Sequence, residues 1–370
     1  MSCFEPVRVG LIGSGWISEQ HIAACEASPH TQVVALADYP RDRGGRAGRG
    51  EALASKAGIA RYFANYHDML ADPEVEMVTV GLPNALHAEV TLAALDAHKH
   101  VVVEKPLCLS LSDADRIVQR AKEVQRIVGY AEELCFCPKF VRGKEIVEAG
   151  GLGRLLFLEQ TEIHGGPYSQ WFFDPELAGG GAIMDMGCHA IEYARWMFDK
   201  APVKRVSADI SRMVHGHRGL VDDHCLVHLE FEDGRKALLQ AGWIQQGGMT
   251  SEARIQGTEG VLRMDLLQES GMQMFSNHGV PSLDLGAGWQ KPDYAWLWNN
   301  GYPQEMSAFA QAARAGTTPL ESAEDGRAVL EIMWAAYASA AEGRVIELPY
   351  IPPDDVLAPV QLWLRARGDL

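Results

Sequence analysis

Short apolar runs recur through the first third of the chain: VRVGLIG, QVVALAD, VEMVTVGL, HVVVEKP and RIVGYA, separated by helical stretches such as HAEVTLAALDAHK. Apolar strands without polar alternation need cover on both faces, and strands that alternate with helices read as parallel βαβ units. This part predicts an α/β fold, a doubly wound parallel sheet of the Rossmann type. Near residue 130 the pattern changes. RLLFLEQTEIH, VKRVSADISRMV, DHCLVHLEFEDG, RKALLQAGWI and SEARIQGTEG are longer, alternate in polarity and turn at EDG and GTEG. They predict an α+β domain with a large, mostly antiparallel sheet covered on one face. Two helices should close the chain, near Glu305–Ala315 and Ala323–Glu342. A chain of 370 residues is long enough for two cores, so a Rossmann domain over 1–130 and a substrate domain over 131–370 are expected.

A formal net charge of -16 argues against a nucleic-acid or anionic-membrane surface, because both partners attract basic proteins. The opening MSCFEPVRVGLIGSG has no basic segment before a long apolar run, and no stretch holds the roughly eighteen apolar residues of a membrane helix. A cytoplasmic location is expected. The 7 cysteines are scattered, and the spacing of Cys135 and Cys137 is not that of a C-x-x-C site, so reduced packing residues are expected.

Chemistry enters at VGLIGSGWIS, where an apolar strand meets Gly13-Ser14-Gly15 and a helix begins about Ile17, with Trp16 and Ile17 as candidate cofactor contacts. Such a turn lets a dinucleotide pyrophosphate approach bare backbone at a helix N-terminus. Ser18 occupies the place of the fingerprint's third glycine. Asp38 closes VVALAD about twenty residues further on, where an acid binds the adenosine ribose hydroxyls. Its carboxylate favours NAD over NADP. Arg41 and Arg43, in the loop RDRGGRAGRGE, are the residue type that takes the extra phosphate, so NADP is the less favoured cofactor.

HVVVEKP sets Glu104 and Lys105 at the carboxyl end of a buried strand, where ligands bind in a doubly wound sheet. A structural ion pair is the plainer explanation of an isolated pair. GGGAIMDMGCHAIEYARWMF begins with glycines and continues with helical periodicity, which places Asp185 and His189 at i and i+4 on one face. A histidine suits removal of a hydroxyl proton as a hydride leaves the same carbon, and a carboxylate can orient it or the substrate. A surface hydrogen bond is the plainer explanation here too. No third and fourth ligands stand at metal spacing, so no metal is expected.

VGLIGSGWIS, GLPNALHAEVTLAALDAHKHVVVEKPLCLS and GGGAIMDMGCHAIEYARWMF, with the later YPQEMSAFAQAARAG and AAYASAAEGRVIELP, resemble the glucose-fructose oxidoreductase, inositol dehydrogenase and MocA family, or Gfo/Idh/MocA. The resemblance implies that Pro83, Asn84 and His87 cover the nicotinamide side of the cofactor. It implies that Glu104, Lys105 and Pro106 form a motif whose lysine reaches the reacting hydroxyl. Asp185 and His189 match its D-x-G-x-H motif, with the histidine as acid/base. Glu133 falls where the family's cofactor cleft continues, and Tyr302 in the closing segment meets the nicotinamide end. The second domain's sheet pairs subunits in related proteins, which implies a homo-oligomer, a dimer or tetramer.

His164, Tyr168 and Trp171 precede the glycine-rich block and are expected to line the mouth of a sugar site, with core packing the alternative for Trp171. Arg212, His215, His217 and Arg218 in SRMVHGHRG are expected in a solvated loop. His21 is expected to pack on the first helix rather than react. The leading function is NAD-dependent oxidation or reduction of a ring hydroxyl of a sugar, cyclitol or derivative by hydride transfer. Two alternatives share the motifs: an NAD-dependent glycoside hydrolase working by transient oxidation, elimination and re-reduction, and a non-catalytic cofactor-binding regulator.

Overall fold

The computed structural model describes residues 5–39, 48–267, 271–294 and 301–370. Arg41 and Arg43 lie outside the described residues. Contacts divide the chain into two compact units, Met1–Glu133 with Gly301–Arg327, and Leu134–Asn300 with Ala328–Leu370. The segment 301–327, expected with the second domain, clusters with the first unit.

In the first unit the strands are β1 (Val7–Ile12), β2 (Thr31–Ala37), β3 (Tyr62–Phe63), β4 (Met77–Val80), β5 (His100–Glu104) and β6 (Val128–Ala131), with helices α1 (Trp16–Ala27), α2 (Arg49–Lys56), α3 (Tyr66–Leu70), α4 (His87–Asp96) and α5 (Leu111–Val124) between them. All described pairings in this sheet are parallel, in the order β3-β2-β1-β4-β5-β6. This is the doubly wound arrangement, and the reversal between β1 and β4 opens a crevice at their carboxyl ends. Every residue of β4 and β6 is buried, which is why neither strand alternates in polarity.

Gly301–Arg327 is tied to this sheet by residues far apart in sequence. A Cβ on Gly129 in β6 would lie 2.7 Å from the Phe309 ring, so the glycine admits a side chain whose full burial is worth roughly 2 kcal/mol. The Tyr130 amide donates to the Glu321 carbonyl at 3.1 Å, and Arg314 grips both carboxylate oxygens of Glu76 at 2.7 and 2.8 Å.

The second unit carries α6 (Pro138–Glu148), β7 (Leu155–Ile163), α7 (Pro175–Ala178), α8 (Cys188–Met197), β8 (Val203–Ser211), β9 (His224–Phe231), β10 (Lys236–Gly242), β11 (Thr250–Gly257), β12 (Gly260–Asp265), β13 (Met272–Ser276), β14 (Gly288–Gln290) and β15 (Ile346–Glu347). The helix over Tyr302–Ala315, α9, belongs to the first unit, α10 (Ala323–Glu342) runs across the division and α11 (Val360–Arg367) lies in the second. The sheet order is β14-β13-β12-β11-β7-β10-β9-β8-β15. Its described pairings are antiparallel except β7 with β10. On β9 and β10 the buried positions alternate with accessible ones, the signature of a sheet covered on one face. Helix α8 packs against β7 and β10 on the covered face, and α6 against β12.

Among the described residues no helix is long and apolar enough to cross a membrane. The 6 described cysteines are unbridged and buried, as their scattered spacing suggests, and burial pushes the Cys25 thiol up to about 12.

Candidate functional site

In the first unit the Gly13 turn closes tightly. Gly13 has φ 108°, and a Cβ there would sit 2.3 Å from the Gly81 carbonyl oxygen, so both conformation and space demand glycine. Gly15 caps α1 in an extended conformation with no side-chain cap bond, and Trp16, 65% exposed, begins the helix. The first-turn amides are therefore left for an anion. Ser18, in place of the third glycine, is buried and its hydroxyl donates to the Gly13 carbonyl at 3.0 Å. The serine joins the helix to the turn it follows.

Asp38 follows β2 and is buried. Its Oδ1 accepts from the Ser14 hydroxyl at 2.8 Å, and its Oδ2 from the Gly50 amide at 3.2 Å and the Tyr62 hydroxyl at 3.0 Å. This fixes an acceptor carboxylate beside the glycine turn. A cradle that only glycine fits, an uncapped helix N-terminus and a carboxylate at the end of the next strand together fit a dinucleotide.

The crevice continues at β4 and β5. Pro83 precedes the short 3-10 turn Asn84–Leu86, and Asn84 is buried. His87 is enclosed, with Nδ1 2.8 Å from the Pro106 carbonyl and Nε2 2.8 Å from the Leu82 carbonyl. Burial lowers its pKa despite the two carbonyls and Glu104, which favour the charged ring. Glu104 ends β5 buried. Its Oε1 meets His21 Nε2 at 2.8 Å, and its Oε2 accepts the Lys105 amide at 3.2 Å. Burial pushes the Glu104 carboxyl up, but the His21 hydrogen bond and the charges of His21, Lys105 and His87 hold it below the usual carboxylate range. His21 thus packs on α1, as expected, and also supplies the partner of Glu104. Lys105 is half-buried. Glu133 opens the turn Glu133–Phe136 after β6, and Tyr302 opens α9 with its ring 6.4 Å from that of His21, edge on.

Three residues after Tyr302 lies Glu305, fully buried, with neither carboxylate oxygen hydrogen-bonded. Burial first, and then the charges of Glu133, Glu104, Glu132 and Glu321, hold it well above the usual carboxylate range. In the sequence Glu305 stands out only as the start of a helical stretch.

In the second unit the parallel pair β7 and β10 has a specific consequence. Ile163 is in register with Gly242, so the next residues, His164 and Trp243, leave the sheet side by side. Trp243 Nε1 donates to Asp185 Oδ2 at 2.9 Å, and His164 Nε2 stands 3.6 Å from the same oxygen. His164 Nδ1 accepts the Gly166 amide at 3.0 Å, which leaves the ring proton on Nε2, toward the carboxylate.

Asp185 does not lie on the α-helix its spacing predicted. It sits in a π-turn, Ile183–Gly187, and His189 lies in α8 immediately after. The wider i→i+5 turn changes the angular offset between the two positions, so an α-helical face is the wrong template for them. Both residues are buried.

Tyr168 is fully exposed. Trp171 stacks on Phe172 at 3.8 Å, and Phe172 meets Trp243 edge on at 6.3 Å, so Trp171 joins the aromatic group around the indole that holds Asp185. The basic stretch is not a solvated loop. Arg212 pairs with Asp369 at 2.9 Å, Arg218 covers the Phe173 ring at 3.8 Å and donates to the Pro167 carbonyl, and His215 Nε2 donates to the Trp243 carbonyl at 2.8 Å. Only His217 of the four is exposed.

Trp243 carries no signal in the sequence. The phrase AGWI reads as a strand end, and the indole's partner lies 58 residues away.

Residues 7–132 match the oxidoreductase family with an NAD-binding Rossmann fold, and residues 140–263 match the GFO/IDH/MocA C-terminal domain. The chain is 28% identical over 347 residues to the myo-inositol 2-dehydrogenase of Thermotoga maritima, covering 92% of this chain and 98% of that one. It is 26% identical over 356 residues to the scyllo-inositol 2-dehydrogenase (NAD(+)) of Bacillus subtilis, covering 92% and 96%. The solved structure of GenD2 from gentamicin A biosynthesis, in complex with NAD, superposes with a TM-score of 0.81 at 30% identity over 95% of this chain and 98% of that one. Glycine cradle, parallel sheet and nine-stranded second sheet agree with these likenesses, and the chain belongs to the Gfo/Idh/MocA family of NAD-binding oxidoreductases.

Proposed function

We propose that the protein is an NAD-dependent dehydrogenase that oxidises a ring hydroxyl of a sugar, cyclitol or sugar derivative, or reduces the corresponding ketone. The observation that carries this reading is Asp185, a buried carboxylate fixed on one oxygen by an indole N–H and faced by the N–H of His164. Such an acceptor suits a polyol, whose hydroxyls donate in fixed directions. Two similar proteins are named for oxidising inositols.

When bound, NAD supplies the hydride acceptor. His189 takes the hydroxyl proton as the carbon–hydrogen bond breaks, leaving a ketone. Lys105 donates to the same oxygen and stabilises the negative charge that develops there. Asp185 orients the polyol, with His164 and Trp171 beside it and Tyr168 at the solvent edge. Gly13, Gly15, Trp16, Ile17 and Asp38 hold the adenosine and pyrophosphate half, and Pro83, Asn84, His87, Glu104, Glu133 and Tyr302 the nicotinamide half. The Asp38 carboxylate favours NAD over NADP by repelling a 2′-phosphate.

A homo-oligomer accompanies this reading. The open face of the second sheet presents Leu226 and Leu238 among Glu159, Arg254, Arg263 and Asp265 around a concavity of about 610 Å³, a mixed surface suited to a second copy. Light scattering on the purified protein should give a dimer or tetramer, and a monomer at micromolar concentration would remove this part.

The functional test supplies NAD with free sugars, sugar acids, cyclitols and chromogenic glycosides, and follows NADH and leaving-group release together. Steady NADH from a free polyol is the expected result. NAD-dependent leaving-group release without NADH would replace it by the redox-assisted glycosidase. NAD binding with no turnover of any substrate would favour the regulator.

A further inference from the structure

Asp222 and Asp223 are adjacent, fully buried, and absent from the chemistry assigned above. Each holds three consecutive backbone amides, and the two sets lie in different segments.

Asp222 faces the glycine-rich turn. Its Oδ1 accepts the Gly181 amide at 2.8 Å, its Oδ2 the Ile183 amide at 3.0 Å, and its own carbonyl the Ala182 amide at 3.1 Å. The Tyr337 hydroxyl donates to the same carboxylate. A Cβ on Gly181 would overlap the Asp222 carbonyl oxygen at 1.7 Å, so this approach explains the glycine. The Asp185 amide, in turn, donates to the Gly181 carbonyl at 3.0 Å.

Asp223 faces the other way. Its Oδ1 accepts the Met213 amide at 2.7 Å, and its Oδ2 the Val214 and His215 amides at 2.6 and 2.7 Å. The Trp243 amide donates to the Asp223 carbonyl at 2.7 Å, and the Trp243 carbonyl accepts from His215 Nε2. Trp243 is therefore held at both backbone ends by Asp223 and by a residue Asp223 fixes. Its indole holds the Asp185 carboxylate.

We propose that Asp222 and Asp223 are paired positioning residues for Asp185, Asp222 setting its backbone through Gly181 and Asp223 setting its carboxylate through Trp243. Buried carboxyl acceptors suit this task, because loss of the acceptor leaves buried backbone donors unsatisfied. A side chain that receives its orientation from two directions loses both degrees of freedom at once, and misplacement by about 1 Å costs on the order of a hundredfold in rate.

The inference rests on Asp185 acting on the substrate, so the test has two independent readouts. The first is amide hydrogen exchange of the whole protein with NAD present. Asp222→Asn should speed exchange over 181–187 and leave 213–215 unchanged, and Asp223→Asn should do the reverse. Unchanged exchange at both segments in both variants would overturn the clamp whether or not a substrate is known.

The second readout is kinetic, on whichever polyol the wild type turns over. Each variant should lower kcat/KM about tenfold to a hundredfold with NAD affinity unchanged. Asp223→Asn should also move the acidic limb of the pH profile upward, because a carboxylate that loses the Trp243 N–H gains a proton more easily. A merely structural role would reduce the active fraction without moving that limb, and that result would overturn the proposal. If Asp223→Asn does not accumulate as folded protein, His215→Ala cuts the same route one step later and should shift the limb in the same direction. A wild type inactive on every polyol would defeat the functional reading and leave the exchange result to decide the clamp.

Discussion

Glu104 and Glu305 are both buried acids of the first unit, and they stand in opposite states. Glu104 has the His21 ring and the Lys105 amide on its oxygens, and its carboxyl is held below the ordinary range. Glu305 has no hydrogen bond to either oxygen, faces four other acids and is held well above it. Burial acts on both in the same direction, so depth does not decide ionisation. Partners do.

The largest effect is expected at Lys105, where the strand end serves either structure or chemistry. Lys105→Met should lower turnover by about 100-fold to 10,000-fold while leaving thermal stability and NAD affinity nearly intact. If the melting temperature falls and the rate survives, Lys105 is a structural partner of Glu104 and leaves the mechanism. His21→Ala removes the partner of Glu104 Oε1 and should cost about 3 kcal/mol in denaturant titrations at neutral pH. A depressed folded pKa contributes stability above the unfolded value and loses it as pH falls through the folded one. The penalty of His21→Ala should therefore shrink in acid, and a constant penalty would contradict the ionised assignment.

Glu305→Gln works in the opposite direction. A raised folded pKa contributes stability below the unfolded value that is lost as pH rises through the folded one. The variant should melt with the wild type near about pH 4 and gain on the order of 1 to 2 kcal/mol as pH rises. Destabilisation at high pH would show that the ionised acid is used. The smallest effect is expected at Asp38. Asp38→Ala should weaken NAD about tenfold, the size of one charged hydrogen bond, and narrow the preference over NADP. Equal NAD affinity before and after would sink that assignment.

The cofactor half of the first unit could be read along the chain because its parts are local. Gly13, Gly15 and Asp38 are set by one strand-turn-helix-strand run, and apolar strands announce a sheet buried on both faces. The polyol half could not be read this way. Asp185 and His189 stood out as a pair, but the π-turn between them is fixed by Asp222, and the indole on Asp185 comes from β10. Neither partner leaves a periodic trace. The return of Gly301–Arg327 to the first unit depends on Phe309 over Gly129 and Arg314 on Glu76, contacts that helix periodicity alone does not specify.

The enclosed sulfhydryls have a practical consequence. Cys25 and Cys108 belong to the first unit, and Cys135, Cys137, Cys188 and Cys225 to the second. A thiol reagent can reach each of them only when the surrounding segment opens, so labelling followed by peptide mapping times the excursions of each unit separately. Ligands that hold one unit closed should slow modification in that unit alone, which turns six packing residues into a built-in pair of opening clocks.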